Sequence, residues 1–464
     1  MASSFWTLLR VFRERRVQER SCEWSRAQLQ AHQARALAEL RAFAIAKSPF
    51  YREFHRGLER QPLAALPILT KSQLMERFDE LVTDRRIRLA DAETYRRSGG
   101  PRRYLDRYVV LATSGSTGRR GVFVFDDREW IRAIAAITRP IAWATAGRTS
   151  RRPPRAALIA ASAPWHYSAR VGAALANRVA PALRLDAGAP LAELVARLNE
   201  WRPEALATYP SVLRQLAAEQ LAGRLAIPLA NIASSAEVLT ADVRTLVRQA
   251  WSIEVRDTYG ATEYAPIASE CAHGRKHLFE NGAIVEVVDE QGRAVPAGEQ
   301  GARLLLTVLG RFTQPLIRYE LSDLVRVSDE TCPCGRPYRV IEAIDRREED
   351  VLSFPGSDGA AVSVHPNHFH DALEGAAAAA WQIEQTPAGL TVRLVGADAT
   401  AMAIIAGSIR RVLAANAALP VLLSIEHVTE LLRGASGKAP LIVARRPRAA
   451  DAGNHPPASP APPG

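Results

Sequence analysis

The sequence has no apolar run long enough to cross a bilayer, which takes about 18 residues or more. It has only four cysteines among 464 residues, too few for a disulfide framework and typical of a reducing compartment. It also lacks basic repeats and the interleaved aromatic and basic residues of an RNA-binding sheet. We therefore expect a cytoplasmic protein that has no transmembrane segment and does not bind nucleic acid.

Positive charge is what the sequence has in excess. Lys and Arg total 60 against 49 for Asp and Glu, a formal net charge of +11. Such an excess favours anionic partners such as nucleotides, coenzyme A, acidic carrier proteins and membrane surfaces, although ordinary solvated surface charge is the simpler explanation. Apolar residues make up 47% of the chain, enough for a sizeable core, and the length predicts two or three domains.

The first twenty residues predict a helix with apolar side chains on one face and arginines around it. Phe5, Leu8, Leu9 and Phe12 form that face. The segment lacks the apolar core and the small-residue cleavage site of a secretory signal. Two interpretations are open: the helix caps the folded domain, which we favour, or it makes peripheral contact with an anionic membrane surface.

Alternating strand and helix patterns occupy the middle of the chain. An apolar run at 156–161, a helical stripe from Leu191 to Trp201 and a strand candidate at 231–237 follow one another. Thr240 is then predicted to cap a helix that ends near Trp251. This rhythm predicts a parallel sheet covered by helices.

We therefore predict the α/β class, with a large N-terminal domain of parallel, helix-covered sheets plus a β sub-barrel formed by short β segments after residue 281. The large domain covers 1–347 and includes Arg-rich N-terminal helices. A small α/β C-terminal domain covers 348–446. The Pro/Ala-rich tail at 447–464 is expected to be disordered.

A turn rich in glycine and hydroxyl groups joins two β-branched segments. This hydroxyl-rich turn consists of Thr113, Ser114, Gly115, Ser116, Thr117 and Gly118. Its glycines let backbone N–H groups approach a ligand and its hydroxyls add donors, a combination suited to a polyphosphate. It is not a Walker loop, because the terminal Gly-Lys-Ser/Thr is missing and a strand follows. A plain surface hairpin is the alternative.

Later segments carry further motifs. In chain order these are Ser235-Ala236-Glu237, Asp257-Thr258-Tyr259-Gly260-Ala261-Thr262-Glu263, Arg318-Tyr319-Glu320-Leu321-Ser322-Asp323, Ile344-Asp345-Arg346-Arg347-Glu348-Glu349-Asp350 and Gly437-Lys438-Ala439. Together with the hydroxyl-rich turn they resemble the signatures of the acyl-adenylate-forming superfamily, which comprises acyl-CoA synthetases, adenylation domains and luciferases. Within it, residues 40–445 are most similar to the phenylacetate–CoA ligases and to the synthetases that adenylate a deazaflavin cofactor.

The resemblance implies an ATP-dependent ligase with a mobile small domain. It would activate a carboxylic acid, aryl or arylacetic, as an acyl-adenylate and then transfer the acyl group to coenzyme A or a carrier thiol. One alternative is adenylyl transfer to a hydroxyl of a deazaflavin cofactor. Another is a non-catalytic nucleotide-binding scaffold that kept the fold.

The resemblance also implies roles for individual residues. The hydroxyl-rich turn would hold the β- and γ-phosphates of ATP, and Asp323 would bind the ribose. Residues expected around the adenine are Ala236, Glu237 and Tyr259, and Gly260 and Thr262 of the same motif are expected to bind the nucleotide. Glu263, next to Thr262, would bind Mg²⁺, a cation that prefers oxygen ligands. The catalytic residues would be Glu263, Arg347 at the ribose, and Lys438, which would neutralise charge in the transition state.

Two Cys/His clusters predict a structural zinc site. Cys271, His273 and His277 form one cluster, and Cys332 and Cys334 form the other. Three cysteines and one histidine make the closed, tetrahedral ligand set of structural Zn²⁺. We favour His277 over His273 as the fourth ligand because it begins a strand-like stretch. Free buried cysteines and surface histidines are the alternative.

Overall fold

A computed structural model describes most of the chain. It covers residues 2–98, 103–113, 121–145, 154–160, 166–175, 182–187, 189, 191–321, 323–347, 352–356, 361–364, 369, 372–373, 376–386, 388–415, 418–432 and 441–444. The chain divides into two compact units, the first spanning Met1–Glu348 and the second containing the described residues from 352 onward. None of the described helices is long and apolar enough to cross a membrane.

Eleven helices are described in the first unit. They are α1 (Ala2–Arg20), α2 (Arg26–Lys47), α3 (Pro49–Phe54), α4 (Lys71–Glu76), α5 (Phe78–Leu81), α6 (Leu89–Ser98), α7 (Asp127–Thr145), α8 (Tyr167–Leu175), α9 (Leu191–Trp201), α10 (Pro210–Leu221) and α11 (Ala241–Trp251). Side chains satisfy the first backbone N–H groups of several helices. Ser25 and Gln28 form a capping box on α2, and Thr70 and Gln73 form one on α4.

The strands of the first unit form one large sheet and two small ones. They are β1 (Val109–Ala112), β2 (Val122–Phe125), β3 (Ala156–Ala160), β4 (Ala182–Asp186), β5 (Ala205–Thr208), β6 (Asn231–Ser235), β7 (Val255–Tyr259), β8 (Ala268–Glu270), β9 (Lys276–Leu278), β10 (Ala283–Val288), β11 (Arg303–Val308), β12 (Tyr319–Leu321), β13 (Asp323–Ser328) and β14 (Val340–Arg347). The large sheet has nine strands in the order β13-β14-β9-β8-β7-β6-β5-β3-β4.

The nine-stranded sheet is parallel on one side and antiparallel on the other. Strands β3 to β7 pair in parallel, as the strand–helix alternation predicts, and β8, β9, β13 and β14 pair antiparallel. The β segments predicted after residue 281 are divided between two sheets, because β10, β11 and β12 form a separate antiparallel sheet while β13 and β14 extend the large one. The α/β class is confirmed.

Two hydrophobic clusters form the core of the first unit. One includes β1, β2 and the residues of β10 to β12 that face it, together with α3, α4 and α5. The other lies under the parallel strands, where Leu194 and Leu198 of α9 and Val243 and Val247 of α11 are buried against the sheet. Their spacing of four residues is the helical repeat that the sequence showed.

The second unit has its own core. Its elements are β15 (Leu352–Pro355), β16 (Ala361–Val364), β17 (Ala380–Thr386), β18 (Gly389–Val395), α12 (Ala399–Ala415), β19 (Leu423–His427) and β20 (Ile442–Ala444). Four strands form a mixed sheet in the order β19-β18-β17-β20, and β15 and β16 form a hairpin. Ile405 and Ile409 of α12 are buried with Val392 and Leu394 of β18.

Helix α1 packs against α7. Val11 is buried in the first core cluster, and the Gln18 side chain donates a hydrogen bond of 3.1 Å to the backbone carbonyl of Arg132 in α7. Arg10 forms an ion pair with Asp127 at the start of α7. The helix therefore covers part of the domain, as in the favoured interpretation, and its opposite face remains exposed.

His55 is buried next to α3 and makes the stability of the first unit depend on pH. Within the described part of the chain, neither of its ring nitrogens has a hydrogen-bond partner. Burial, assisted by the positive charge of Arg41, lowers the pKa of His55 to about 4, while Glu59 opposes this decrease. The folded state therefore disfavours the charged ring that the unfolded chain adopts below its ordinary pKa of 6.5.

We expect the free energy of unfolding to fall by roughly 3 kcal/mol as the pH decreases from about 6.5 to about 4, because unfolding then takes up a proton. The variant His55→Phe should lack this contribution, whereas His427→Asn, which changes an exposed histidine, should keep it. Urea unfolding at several pH values measures the difference. An identical pH dependence in wild type and His55→Phe would show that His55 is not the responsible group.

Candidate functional site

Strands β1 and β2 bring the two ends of the hydroxyl-rich turn together. They pair antiparallel with Ala112 opposite Val122, and all eight of their residues are buried. Beyond the last pair, the Thr113 N–H donates to the carbonyl of Gly121 at 3.0 Å, and the Gly121 N–H donates to Thr113 Oγ1 at 2.9 Å. Thr113 therefore closes the base of the turn. Ser114, Gly115, Ser116, Thr117 and Gly118 lie outside the described residues.

The segment predicted to lie against adenine follows the carboxyl end of β6. Ser235 is opposite Thr258 in the parallel pair of β6 and β7, so Ala236 and Tyr259 extend from the same edge of the sheet. Ala236 has a φ of 73°, a left-handed conformation that is uncommon for a residue with a side chain. Glu237 is half-buried beside it.

Tyr259 is hydrogen-bonded to Asp323, although the two residues are 64 positions apart. The Tyr259 hydroxyl donates to Asp323 Oδ2 at 2.8 Å. Asp323 begins β13, and its backbone lies opposite that of Arg347 at the end of β14. The structure thus brings together three predicted residues. The side chain of Arg347, and all of Lys438, lie outside the described part.

Glu263 lies in the turn that follows β7. Gly260 begins this turn, and a Cβ atom there would lie 3.0 Å from the Cβ of Ala265, closer than nine in ten real contacts of this kind. Thr262 is half-buried and Glu263 is buried. The Tyr319 hydroxyl donates to Glu263 Oε1 at 3.2 Å. Burial and the charge of Glu263 raise the pKa of Tyr319, so its hydroxyl remains a donor at neutral pH.

Arg311 is a fully buried residue that sequence reasoning missed. Its Nη1 donates to the backbone carbonyl of Glu263 at 2.6 Å, and its Nη2 donates to the backbone carbonyl of Val124 in β2 at 3.3 Å. The guanidinium also lies 3.9 Å from the ring centroid of Phe125. One side chain therefore joins the strand that follows the hydroxyl-rich turn to the turn that carries Glu263.

Gln314 reinforces the same connection. Its Nε2 donates to the carbonyl of Val122 at 3.1 Å, and its Oε1 accepts a hydrogen bond of 2.9 Å from the Val124 N–H. It also accepts a hydrogen bond of 3.1 Å from Nη2 of Arg311. We call Arg311 and Gln314 the Arg–Gln bracket. The signal for it in the sequence is weak, because Arg311 and Gln314 are only two of several polar residues between β11 and β12.

The Glu129 carboxylate binds the backbone between the two residues of the Arg–Gln bracket. Its Oε1 accepts hydrogen bonds from the backbone N–H groups of Phe312 and Thr313, at 2.6 and 2.7 Å. Its Oε2 accepts from the Asp126 N–H at 2.9 Å, completing a capping box on α7. Burial raises the pKa of Glu129 and lowers that of Arg311 to about 10, and each charge opposes the shift of the other. Arg311 therefore stays protonated at neutral pH.

Four predicted metal ligands converge on one point beside β7. Cys271 follows β8, His277 lies in β9, and Cys332 and Cys334 belong to the loop between β13 and β14. Their ligand atoms all lie within 4.8 Å of one another. The Sγ atoms of Cys271 and Cys332 are 3.7 Å apart, and Cys334 Sγ is 3.2 Å from His277 Nε2. His273 is exposed and is not in the group.

The arrangement fits a tetrahedral metal. Metal–sulfur bonds of about 2.3 Å at tetrahedral angles separate two sulfur atoms by about 3.8 Å, close to the observed 3.7 Å. His277 Nδ1 lies 3.1 Å from the carbonyl of Tyr338, which leaves Nε2 to face the sulfur atoms. Burial and nearby arginines lower the pKa of His277, which favours the neutral ring that a metal requires.

Comparison with known proteins adds independent information. The family described as AMP-binding enzyme matches residues 68–306. A phenylacetate-coenzyme A ligase of Thermus thermophilus is 27% identical over 361 residues, which cover 75% of this chain and 76% of that protein. Protein CapK of Staphylococcus aureus is 22% identical over 57% of this chain and 54% of that protein.

A solved structure shows the same fold. The crystal structure of 2-hydroxyisobutyryl-CoA ligase in the postadenylation state, in complex with R3-HIB-AMP, superposes with a TM-score of 0.70. The match covers 92% of each chain at 22% sequence identity. At this identity the likeness concerns the fold alone.

Proposed function

The chain belongs to the AMP-binding enzyme family, and from this premise we propose that it is an ATP-dependent ligase that activates a carboxylic acid as an acyl-adenylate and then transfers the acyl group to coenzyme A. One observation carries the proposal. The Arg311 side chain joins β2, the strand after the hydroxyl-rich turn, to the turn that carries the buried Glu263. Tyr259 precedes that turn and is hydrogen-bonded to Asp323. These are groups suited to polyphosphate, a cation and a ribose.

In the first step a carboxylate oxygen of the acid would attack the α-phosphorus of ATP, and the bond from that phosphorus to the pyrophosphate oxygen would break. Such a reaction requires alignment of the reactants and neutralisation of charge more than covalent participation by the protein. Thr113 would orient the start of the phosphate-binding turn. Asp323, which already accepts a hydrogen bond from Tyr259, would accept further ones from the ribose hydroxyls.

Glu263 is the proposed ligand for Mg²⁺. Its carboxylate is buried, ionisable and fixed by the Tyr319 hydroxyl, and carboxylate oxygens are ligands that Mg²⁺ prefers. When bound, the cation would neutralise charge on the phosphates. Arg347 and Lys438 remain proposed catalytic residues, the first at the ribose and the second at the reacting phosphate.

In the second step the thiol of coenzyme A would attack the acyl carbon, forming a thioester and releasing AMP. The named phenylacetate-coenzyme A ligase among the relatives supports an aryl or arylacetic acid as substrate and coenzyme A as acceptor. A carrier thiol is the other acceptor. The scarcity of cysteine supports a cytoplasmic location, where both ATP and coenzyme A are available.

Pyrophosphate release tests this function. Purified protein is incubated with ATP, Mg²⁺ and a panel of aryl, arylacetic and fatty acids, with and without coenzyme A. We expect release that depends on one class of acid, an acyl-adenylate detectable by mass spectrometry, and faster turnover with coenzyme A. Adenylylation of a deazaflavin hydroxyl, or ATP binding without reaction for any acid, would instead support one of the two alternatives.

We also propose that Cys271, His277, Cys332 and Cys334 hold a structural Zn²⁺. The double variant Cys271→Ser/Cys332→Ser should lose the metal, because serine is a poor ligand for zinc. At free zinc concentrations about a thousandfold above the dissociation constant, metal binding contributes about 4 kcal/mol, which the variant would lose. Metal analysis and chemical unfolding measure both effects.

The fourth cysteine provides the matched control for the zinc prediction. Cys22 is outside the cluster, and the variant Cys22→Ser should keep one equivalent of zinc and near-normal stability. Wild-type protein that contains no tightly bound zinc after expression with the metal would contradict the proposal. Retention of the metal by the double variant would do so as well.

A further inference from the structure

The exposed face of α1 has an unusual composition. Residues that share this face, which we call the α1 outer face, are Trp6, Leu9, Arg10, Phe12, Arg13, Arg16, Val17 and Arg20. Four are large apolar residues and four are arginines, and none is acidic. Trp6 is 60% exposed and Val17 is 53% exposed, and the arginines are exposed as well.

The acidic residues of α1 lie outside the α1 outer face, at its borders. Glu14 and Glu19 are half-buried, and they pair with Arg132 of α7 and with Arg15. The segregation of charge is therefore a property of the folded helix. The face predicted from the sequence was a different one, because it contained Leu8, which is half-buried in the structure. The sequence alone therefore did not show that the acidic residues are kept off the exposed face.

The arginines of the outer face are available to an external anion. In the portion of the chain that the structure describes, no carboxylate pairs with Arg13, Arg16 or Arg20, whereas Arg10 is paired with Asp127. The guanidinium groups of Arg15 and Arg16 lie 5.0 and 4.5 Å from the ring centroid of Phe12. Arginine and aromatic side chains are therefore mixed on one surface rather than separated on two.

We propose that the α1 outer face binds the surface of an anionic lipid bilayer. Tryptophan, phenylalanine and leucine side chains enter the boundary between headgroups and acyl chains, and arginines bind lipid phosphates at the same depth. A helix lying flat presents both kinds of side chain to this boundary at once, over a length of about 21 Å from Trp6 to Arg20. An acidic protein would match the arginines but would not require four exposed apolar side chains.

Flotation with lipid vesicles tests the proposal. The full-length protein is mixed with vesicles of phosphatidylcholine alone or with about 30% phosphatidylglycerol, at low and high salt. We expect binding to the anionic vesicles only, with weaker binding at high salt. The triple variant Arg13→Gln/Arg16→Gln/Arg20→Gln should bind about 100-fold more weakly, because each arginine near an anionic surface contributes about fivefold.

Two further variants separate the contributions of arginine charge and of apolar side chains to vesicle binding. Arg35→Gln/Arg56→Gln/Arg60→Gln removes the same charge from exposed positions elsewhere and should bind the vesicles as wild type does. Leu9→Ser/Phe12→Ser keeps the charge and should also lose binding. Pyrophosphate release by each variant verifies that the enzyme is folded.

Three outcomes would overturn the proposal. The first is no flotation of wild-type protein with anionic vesicles. The second is equal loss of binding in the control triple variant, which would indicate general electrostatic attraction. The third is binding to heparin or an acidic peptide through Arg13, Arg16 and Arg20 without flotation, which would assign the surface to a dissolved polyanion.

Discussion

Glu263→Gln should lower the rate of acyl-adenylate formation by about 100- to 1000-fold. Glutamine has the shape of glutamate, and its amide oxygen can still accept the hydrogen bond from Tyr319. What the variant loses is the negative charge that would bind Mg²⁺ against the phosphates. Acid-dependent pyrophosphate–ATP exchange measures the rate, and a titration with Mg²⁺ should show a higher requirement for the cation.

Tyr319→Phe is the matched control for the first prediction. It removes the hydrogen bond to Glu263 and retains the carboxylate, so the rate should fall by no more than about tenfold. Thermal unfolding of both variants verifies that the buried turn remains folded. A Glu263→Gln enzyme with a normal rate and a normal Mg²⁺ requirement would rule out Glu263 as the ligand.

Arg311→Met should lower the free energy of unfolding by about 3–5 kcal/mol. The substitution leaves the carbonyls of Glu263 and Val124 without their donor and removes the positive charge that stabilises the buried carboxylate of Glu129. Methionine fills a similar volume, so the loss is electrostatic rather than a matter of packing. Chemical unfolding measures it.

A double variant separates the contribution of Arg311 to stability from its role in positioning Glu263 and the hydroxyl-rich turn. Glu129→Gln/Arg311→Met removes both buried charges and should regain about 2 kcal/mol relative to Arg311→Met. Pyrophosphate release should stay low, because the hydroxyl-rich turn and Glu263 remain unconnected. Arg311→Lys keeps the charge but cannot reach all four acceptor atoms, which belong to Glu263, Val124 and Gln314. Full activity in the restored double variant would show that Arg311 serves folding alone.

Local patterns in the sequence were sufficient to predict individual helices and strands. The helix predicted to follow Thr240 and to end near Trp251 is confirmed, although the Thr240 side chain makes no capping hydrogen bond to it. The parallel pairing of the neighbouring strands is confirmed as well. These features depend on neighbours within a few positions, where propensity and hydrophobic periodicity operate. The sheet that each short β segment joins after residue 281 was not predictable, because that choice depends on distant edges.

The residues of the candidate site were likewise predictable only in part. The motifs could be identified because each is contiguous, and the roles of their residues remain predictions. Arg311 and Gln314 could not be identified, because their partners are mainly backbone groups and the β2 strand lies about 190 positions earlier. A backbone carbonyl has no sequence signature. Glu129 was missed for the same reason, since it binds backbone N–H groups of the loop after β11.

Tyr338 extends the influence of the cysteine–histidine cluster to the N-terminus. Its carbonyl orients His277, while its hydroxyl lies 2.6 Å from Ser21 Oγ, at the residue that follows α1. A displacement of His277 in the cluster would therefore move Tyr338 and, through Ser21, the C-terminal end of α1. The cysteine–histidine cluster and the N-terminal helix, which are far apart in the sequence, are thus connected through a single residue.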